Sequence, residues 1–469
     1  MAKIFLISAN TTQEPLPVYP IGMALVDAAL KAKGHETEQF DLLYDMEKGH
    51  VGLEQALRAF GPDIIGISIR NIDNVDSLSP DSWYLSGVKA LIANIRQVQH
   101  APIVIGGPAV SIMPETILTY CGADYCVAGE GEVAFNLLID KILGNENPPR
   151  VMGPLTPRMT PEQFYSPSYQ PRFTDYYFDA SGMLNYQTKR GCPFGCNYCS
   201  YPLIEGKTIR HQEPEFVVEN LKRLKSEFNV TSLFFSDSVF NDPQGRYLEV
   251  AEALARADLG VKWAAYFRPA HLSQKELALL KKAGLYAMEI GSDGACDTTL
   301  EGIGKTFDFS SILAINEACI QAEIPCAHFF MFGGPKETVQ TVEEGLNNIE
   351  LLRHTVVFVF SGIRILPKTG LADIAVNQGI ITPGDNLLHP AFYVAPGLDK
   401  KKMDLRIEAA FQYRKDRFFP PEKGYIRMKT VKLFGFKGLL WDMIPGTFSQ
   451  GRRIRKKGRG TSGALHDSL

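Results

Sequence analysis

No stretch of this 469-residue chain reaches the roughly eighteen consecutive apolar residues of a membrane-spanning helix. Neither sign of charge dominates: 49 Lys and Arg face 52 Asp and Glu, a formal net charge of −3. That balance argues against a nucleic-acid binder. Cysteine is scarce, and eight residues in a chain this long do not make a disulfide framework. The chain also lacks the pattern of a signal peptide. Its first strand candidate starts at Lys3 and leads into polar and proline residues, so a cytoplasmic protein is expected. What is present, 45% hydrophobic and 22% charged residues, suits a globular chain too long for one core. Two domains and an appendage are expected.

Over residues 1–145 short apolar strands alternate with amphipathic helices. The strand candidates are KIFLIS, ETEQFDLL, DIIGISI, APIVIGG and ADYCVAG. Between them run GMALVDAALKAKG, LEQALRAFG and GVKALIANIRQV, and EVAFNLLIDKIL follows the last. This pattern predicts a doubly wound, Rossmann-like α/β domain whose ligand lies beyond the carboxyl ends of the strands. The residues at those ends are Ser68, Arg70 and Asn71, then Gly106, Gly107 and Pro108, then Gly129, Glu130, Gly131 and Glu132. Glycines there let a backbone approach a bulky or phosphorylated ligand. Plain turns and a solvated loop account for the same residues.

Residues 146–182 are rich in proline and turn residues and read as a linker. A second alternating series over 183–385 predicts a partial (β/α)6 barrel of the TIM type, with its chemistry at the C-terminal strand ends. Residues 386–469 form a C-terminal extension without an assignable motif, ending in the basic run RRIRKKGR at 452–459.

Three of the eight cysteines, Cys192, Cys196 and Cys199, fall within RGCPFGCNYCSYP. The spacing would arise by chance in a chain of this composition roughly two times in a thousand. Three thiolates on one loop can hold three irons of a four-iron, four-sulfur cluster and leave the fourth open, whereas structural zinc normally takes four protein ligands. The competing reading is three buried core cysteines.

This loop, with Tyr198 just before the last cysteine, resembles the signature of the radical S-adenosylmethionine (SAM) superfamily. The preceding α/β domain makes the chain similar to the cobalamin-binding class of that family. The resemblance implies a 4Fe-4S cluster on Cys192, Cys196 and Cys199, SAM chelated at the open iron, and cobalamin along the first-domain strand ends. It places SAM near Tyr198, Ser236, Asp237, Arg268, Asp293, Gly333 and Arg364. For Arg268, Arg364 and Glu337 an internal salt bridge is the competing reading. Asp293 stands where the family more often has Glu. The Asp-x-His-x-x-Gly motif that supplies a histidine to cobalt is absent.

The implied activity is methyl transfer to an unactivated carbon through a 5′-deoxyadenosyl radical and methylcobalamin. The alternatives are a radical cyclase, rearrangement or ring-oxidising enzyme, and a non-catalytic cofactor carrier. A small-molecule substrate and an electron donor such as flavodoxin or ferredoxin are expected partners. The basic C-terminal tail reads first as a solvated end, and its mixture of apolar residues and cations would also suit a lipid-like substrate or a membrane surface.

Overall fold

The computed structural model describes residues 1–48, 52–155 and 158–433. The basic run at 452–459 and most of the apolar segment before it lie outside these residues, and with them the expectation about a membrane surface.

The first sheet holds β1 (Lys3–Ser8), β2 (Glu36–Asp41), β3 (Ile64–Ser68), β4 (Ile103–Gly106), β5 (Tyr125–Val127) and β6 (Val151–Met152), parallel throughout, in the order β2-β1-β3-β4-β5-β6. Runs such as KIFLIS are apolar at successive positions because helices cover both faces of the sheet. The connections reverse direction between β1 and β3, the crevice where such sheets take ligands.

The second unit contains β7 (Leu184–Tyr186), an antiparallel pair β8 (Lys189–Arg190) and β9 (Arg210–His211), then β10 (Ser232–Phe235), β11 (Lys262–Phe267), β12 (Leu285–Asp293), β13 (Cys326–Phe332) and β14 (Val356–Ser361). A further antiparallel pair, β15 (Ile363–Arg364) and β16 (Phe392–Tyr393), precedes β17 (Arg417–Phe418). The parallel order β17-β14-β13-β12-β11-β10-β7 is an open barrel of six strands with a seventh added at one edge. Its strand-to-helix connections carry expected signals: after β11, Ser273 and Glu276 cap the helix Gln274–Lys282 reciprocally.

Two stretches differ from expectation. The segment read as a linker contributes β6 to the first sheet, and its helix Pro171–Ser181 buries Phe173 and Tyr177 in a core shared by Ile4 and Leu6 on one side and Leu184 and Trp263 on the other. Its short strand and Tyr-rich helix show no sustained period because the helix is apolar towards two units at once. The extension, in turn, supplies β16, β17 and the helix Glu422–Leu433, whose Gly424 lies so close to Phe358 that a Cβ would come within 2.6 Å of the ring.

Candidate active site

The cysteine loop leaves β8 at the C-terminal end of the barrel. Gly191 has φ +97°, and a Cβ there would meet the Thr208 carbonyl at 2.1 Å, so only glycine allows the turn. The Gly191 amide donates to Glu205 at 3.0 Å, and the Ser238 hydroxyl donates to the Gly191 carbonyl at 2.9 Å. Further along, the Asn197 amide donates to Ile303 O at 3.1 Å, its side chain to Gly302 O at 2.8 Å, and its carbonyl accepts from Leu371 N at 2.8 Å. The loop is thereby held from three strand ends.

Cys192, Cys196 and Cys199 are half-buried, while the other five cysteines are fully buried. Burial pushes the Cys199 thiol up to about 12, and the charges of Cys196 and Cys192 add to the shift; Cys192 is raised for the same two reasons. The thiols therefore share one site. A cluster takes one thiolate per iron, and the three thiols of this loop can serve three of its four irons.

Around the loop lie three groups. Tyr198 donates to Asp293 at 2.8 Å, and Asp293 pairs with Lys305, whose ammonium also sits 5.5 Å from the Tyr198 ring. Burial disfavours the Lys305 charge, but Asp293 outweighs it and holds the lysine protonated. Asp293 has φ +61° at an irregular point of β12, a strained backbone state that the surrounding contacts must hold. Arg268 lies between the rings of Phe194 and Phe307 at 4.6 and 5.0 Å, with the charges of Cys196 and Cys192 acting on it. Lys305 carried no signal in the sequence: an isolated lysine after two glycines reads as a turn.

Other expected SAM contacts are engaged in the framework. Asp237 is fully buried and accepts from the Thr188 amide at 2.7 Å, the Thr188 hydroxyl and the Lys189 amide, so it secures the base of the cysteine loop. Ser236 donates to Tyr186 O at 3.3 Å. Gly333, φ +92°, ends β13, and the Gly333 and Gly334 amides both donate to Glu337. Glu337 is thus a loop brace, and burial raises its pKa to about 7 against those two hydrogen bonds. Arg364 pairs with Asp73 of the first unit at 2.8 Å and donates to Ile365 O and Leu387 O, which is the internal salt bridge of the competing reading.

The first-sheet strand ends divide likewise. Arg70 and Asn71 line a cavity of about 270 Å³ at the β1/β3 crevice, with Asn10, Thr12, Trp83 and Tyr84, and its lining contains no histidine. Arg70 has no hydrogen-bond or ion-pair partner among the described residues. Its donors and the crevice fit a large polar cofactor that brings no need of an imidazole from the lining. Ser68 closes β3, its carbonyl accepting from Ala9 N at 3.0 Å. Gly106 lies beside Val127, and Gly107 packs so tightly that a Cβ would meet Ile69 O at 2.6 Å; Pro108 starts a short helix. Gly129 donates to Ser111, and Gly131 opens the helix Gly131–Leu143. Glu130 pairs with Arg210 and, at 3.4 Å, with Arg190; Glu132 pairs with Arg190. These carboxylates bridge the two units, since Arg190 immediately precedes the cysteine loop.

The two strand-end regions meet at the mouth of the barrel chamber: Ile204, just past the cysteine loop, packs against the core of the first unit, Arg70 lies within electrostatic reach of Tyr201 and Tyr266, and Tyr266 lies within reach of Glu289 and Tyr425. Tyr266 is 41% exposed although protein surrounds it, because it faces an internal void rather than the outer surface.

Comparison with known proteins agrees with this geometry. Residues 8–139 match the B12 binding domain family and residues 186–349 the Radical SAM superfamily. Over 446 residues the chain is 25% identical to the tryptophan 2-C-methyltransferase of Streptomyces laurentii, covering 79% of this chain and 74% of that protein. It is 26% identical over 371 residues to an uncharacterised methyltransferase of Pyrococcus horikoshii, covering 74% and 77%. Among solved structures, the radical SAM methyltransferase TsrM from Kitasatospora setae, with cobalamin and a [4Fe-4S] cluster bound, superposes with a TM-score of 0.80 at 20% identity, covering 94% of this chain and 96% of that one.

Proposed function

The chain belongs to the radical SAM enzymes that carry a B12-binding domain, and from that premise we propose that it is a cobalamin-dependent methyltransferase acting on an unactivated carbon of a small molecule. The observation that carries this reading is the proximity of the two sites: Tyr201, two residues past Cys199, lies within electrostatic reach of Arg70 in the β1/β3 crevice, and Ile204 of the same short helix packs against the first unit. A radical site alone would have no use for a second cofactor crevice opening there.

When bound, the cluster supplies the electron that cleaves SAM to a carbon radical, and cobalamin supplies the methyl group. The chain's own part is placement and exclusion of water. Cys192, Cys196 and Cys199 would hold three irons, and the Glu205, Ser238 and Asn197 contacts keep the loop in shape. The Tyr198–Asp293–Lys305 group fixes the aromatic edge of the loop, and Arg268 offers a cation beside it. Phe234, Phe329 and Phe360 wall the lumen with apolar surface, which keeps water from a radical. A reduced flavodoxin or ferredoxin would serve as electron donor.

The test is anaerobic incubation of the reconstituted, cobalamin-loaded chain with SAM and a chemical reductant such as dithionite. Formation of S-adenosylhomocysteine in amount equal to bound cobalamin, before any substrate is added, is the expected result. Formation of 5′-deoxyadenosine without S-adenosylhomocysteine would reject methyl transfer and favour a cyclase or rearrangement.

A further inference from the structure

We propose that Glu289 is the substrate-recognition carboxylate of this chamber and accepts hydrogen bonds from a protonated amine on a substrate whose carbon frame lies against the aromatic wall. The proposal deepens the enzymatic reading above and rests on it only in treating the lumen as the substrate site.

The geometry comes from strand alternation. On β12, Met288 and Ile290 point outward to the helix-covered core, so Ala287, Glu289 and Gly291 point into the lumen. Glu289 pairs in register with Tyr266 on β11 and with Ala327 on β13. The floor beneath it is Ala264, Ala287, Ala327, Val356, Phe358 and Phe418, all buried. The wall carries Phe234 edge-on to Tyr266 at 4.9 Å, Phe329 stacked on Phe358 at 5.4 Å, and Tyr425 at 5.9 Å from Phe358. With the small Ala327 beside it, Glu289 keeps partial accessibility although protein encloses it.

Glu289 has no hydrogen-bond or ion-pair partner among the described residues, and burial alone raises its pKa to about 8. The other enclosed carboxylates differ. Asp237 and Glu337 brace backbone, and Glu130, Glu132 and Asp73 pair with arginines. A framework role therefore does not account for Glu289. Aromatic faces also stabilise a cation, so carboxylate and wall together favour an ammonium group over a neutral or anionic one. A site built to take a hydrogen bond from its substrate strongly rejects the analogue that lacks the charge-assisted donor. The apolar-substrate expectation drawn from the tail is thereby narrowed to an aromatic or aliphatic frame bearing an amine.

The test uses the full reconstituted chain and matched probes differing only in amine against hydroxyl: benzylamine and benzyl alcohol, 2-phenylethylamine and 2-phenylethanol, tryptamine and tryptophol. Binding is measured by calorimetry on wild type, Glu289→Gln and Glu289→Ala, with circular dichroism and iron content checked for each. At least one amine is expected to bind wild type about tenfold or more tighter than its alcohol. In both variants that preference should fall below about twofold, with alcohol binding retained. No amine preferred by wild type, or a preference that survives in Glu289→Gln, would overturn the proposal. SAM cleavage is followed separately: a chain that cleaves SAM but shows no amine preference loses this proposal alone, and one that shows the preference but makes no S-adenosylhomocysteine loses only the methyl-transfer reading.

Discussion

The carboxyl edges of the two parallel sheets carry similar residue types, glycines and charged groups after apolar strands, yet the fold treats them differently. At the edge of the first sheet Gly107 is packed against Ile69, and Glu130, Glu132 and Asp73 are held by arginines of the second unit. Arg70, Asn71 and their neighbours, by contrast, line an open cavity. At the barrel edge the cysteines, Arg268 and Glu289 stay available, with Asp237 and Glu337 as the internal braces. The first edge is both an open crevice and a docking surface for the second unit. A charge at a strand end therefore does not by itself identify a ligand contact; what matters is whether another part of the chain reaches it first.

The comparison breaks most severely at the cysteines. Replacing Cys192, Cys196 and Cys199 together by Ala should abolish cluster iron and 5′-deoxyadenosine formation, because no other thiol lies at the site. Replacing the five buried cysteines should leave cluster iron unchanged and cost only modest stability. Iron and sulfide analysis with product chromatography decides between them.

The docking half of the comparison is tested at Arg190. Arg190→Met leaves Glu132 buried without its partner, and a loss of about 3–5 kcal/mol in urea unfolding is expected. Because the pair joins the two units, both should unfold in one shifted transition. A variant in which only the barrel unfolds early would show that the units are energetically separate. Adding Glu132→Leu to Arg190→Met should recover much of the loss.

Glu337 sharpens the comparison with the smallest effect. Its folded pKa, about 7, lies above the usual value, so the folded state binds more protons than the unfolded state between the two. Stability is therefore fully present below about pH 4.5 and declines as pH rises through about 7, by up to about 3 kcal/mol. Glu289 contributes a decline of the same sign towards pH 8. Glu337→Gln keeps an acceptor for the Gly333 and Gly334 amides but removes the titration. Unfolding at pH 5 and pH 8 should then differ less than in wild type; an unchanged difference would mean that the carboxylate ionises freely.

Local pattern was enough for the alternation of strands and helices, for the two α/β units and for the cysteine loop, since apolar period, glycine placement and thiol spacing are properties of neighbouring residues. Tyr198 and Asp293, ninety-five positions apart, were both singled out and do meet. Lys305, Arg190 and Glu289 were not, although Arg190 opens the cysteine motif. Nothing adjacent to them says which partner they face, or that one has none. The same limit concealed the role of 146–182 and of the residues beyond 386, whose strands are two residues long and acquire meaning only by joining a sheet. Sequence alone determined the chemistry the chain can hold, because ligand type and spacing are local. The tertiary structure alone decided which charges are framework and which face the chamber, because desolvation and pairing depend on residues brought together from across the whole chain.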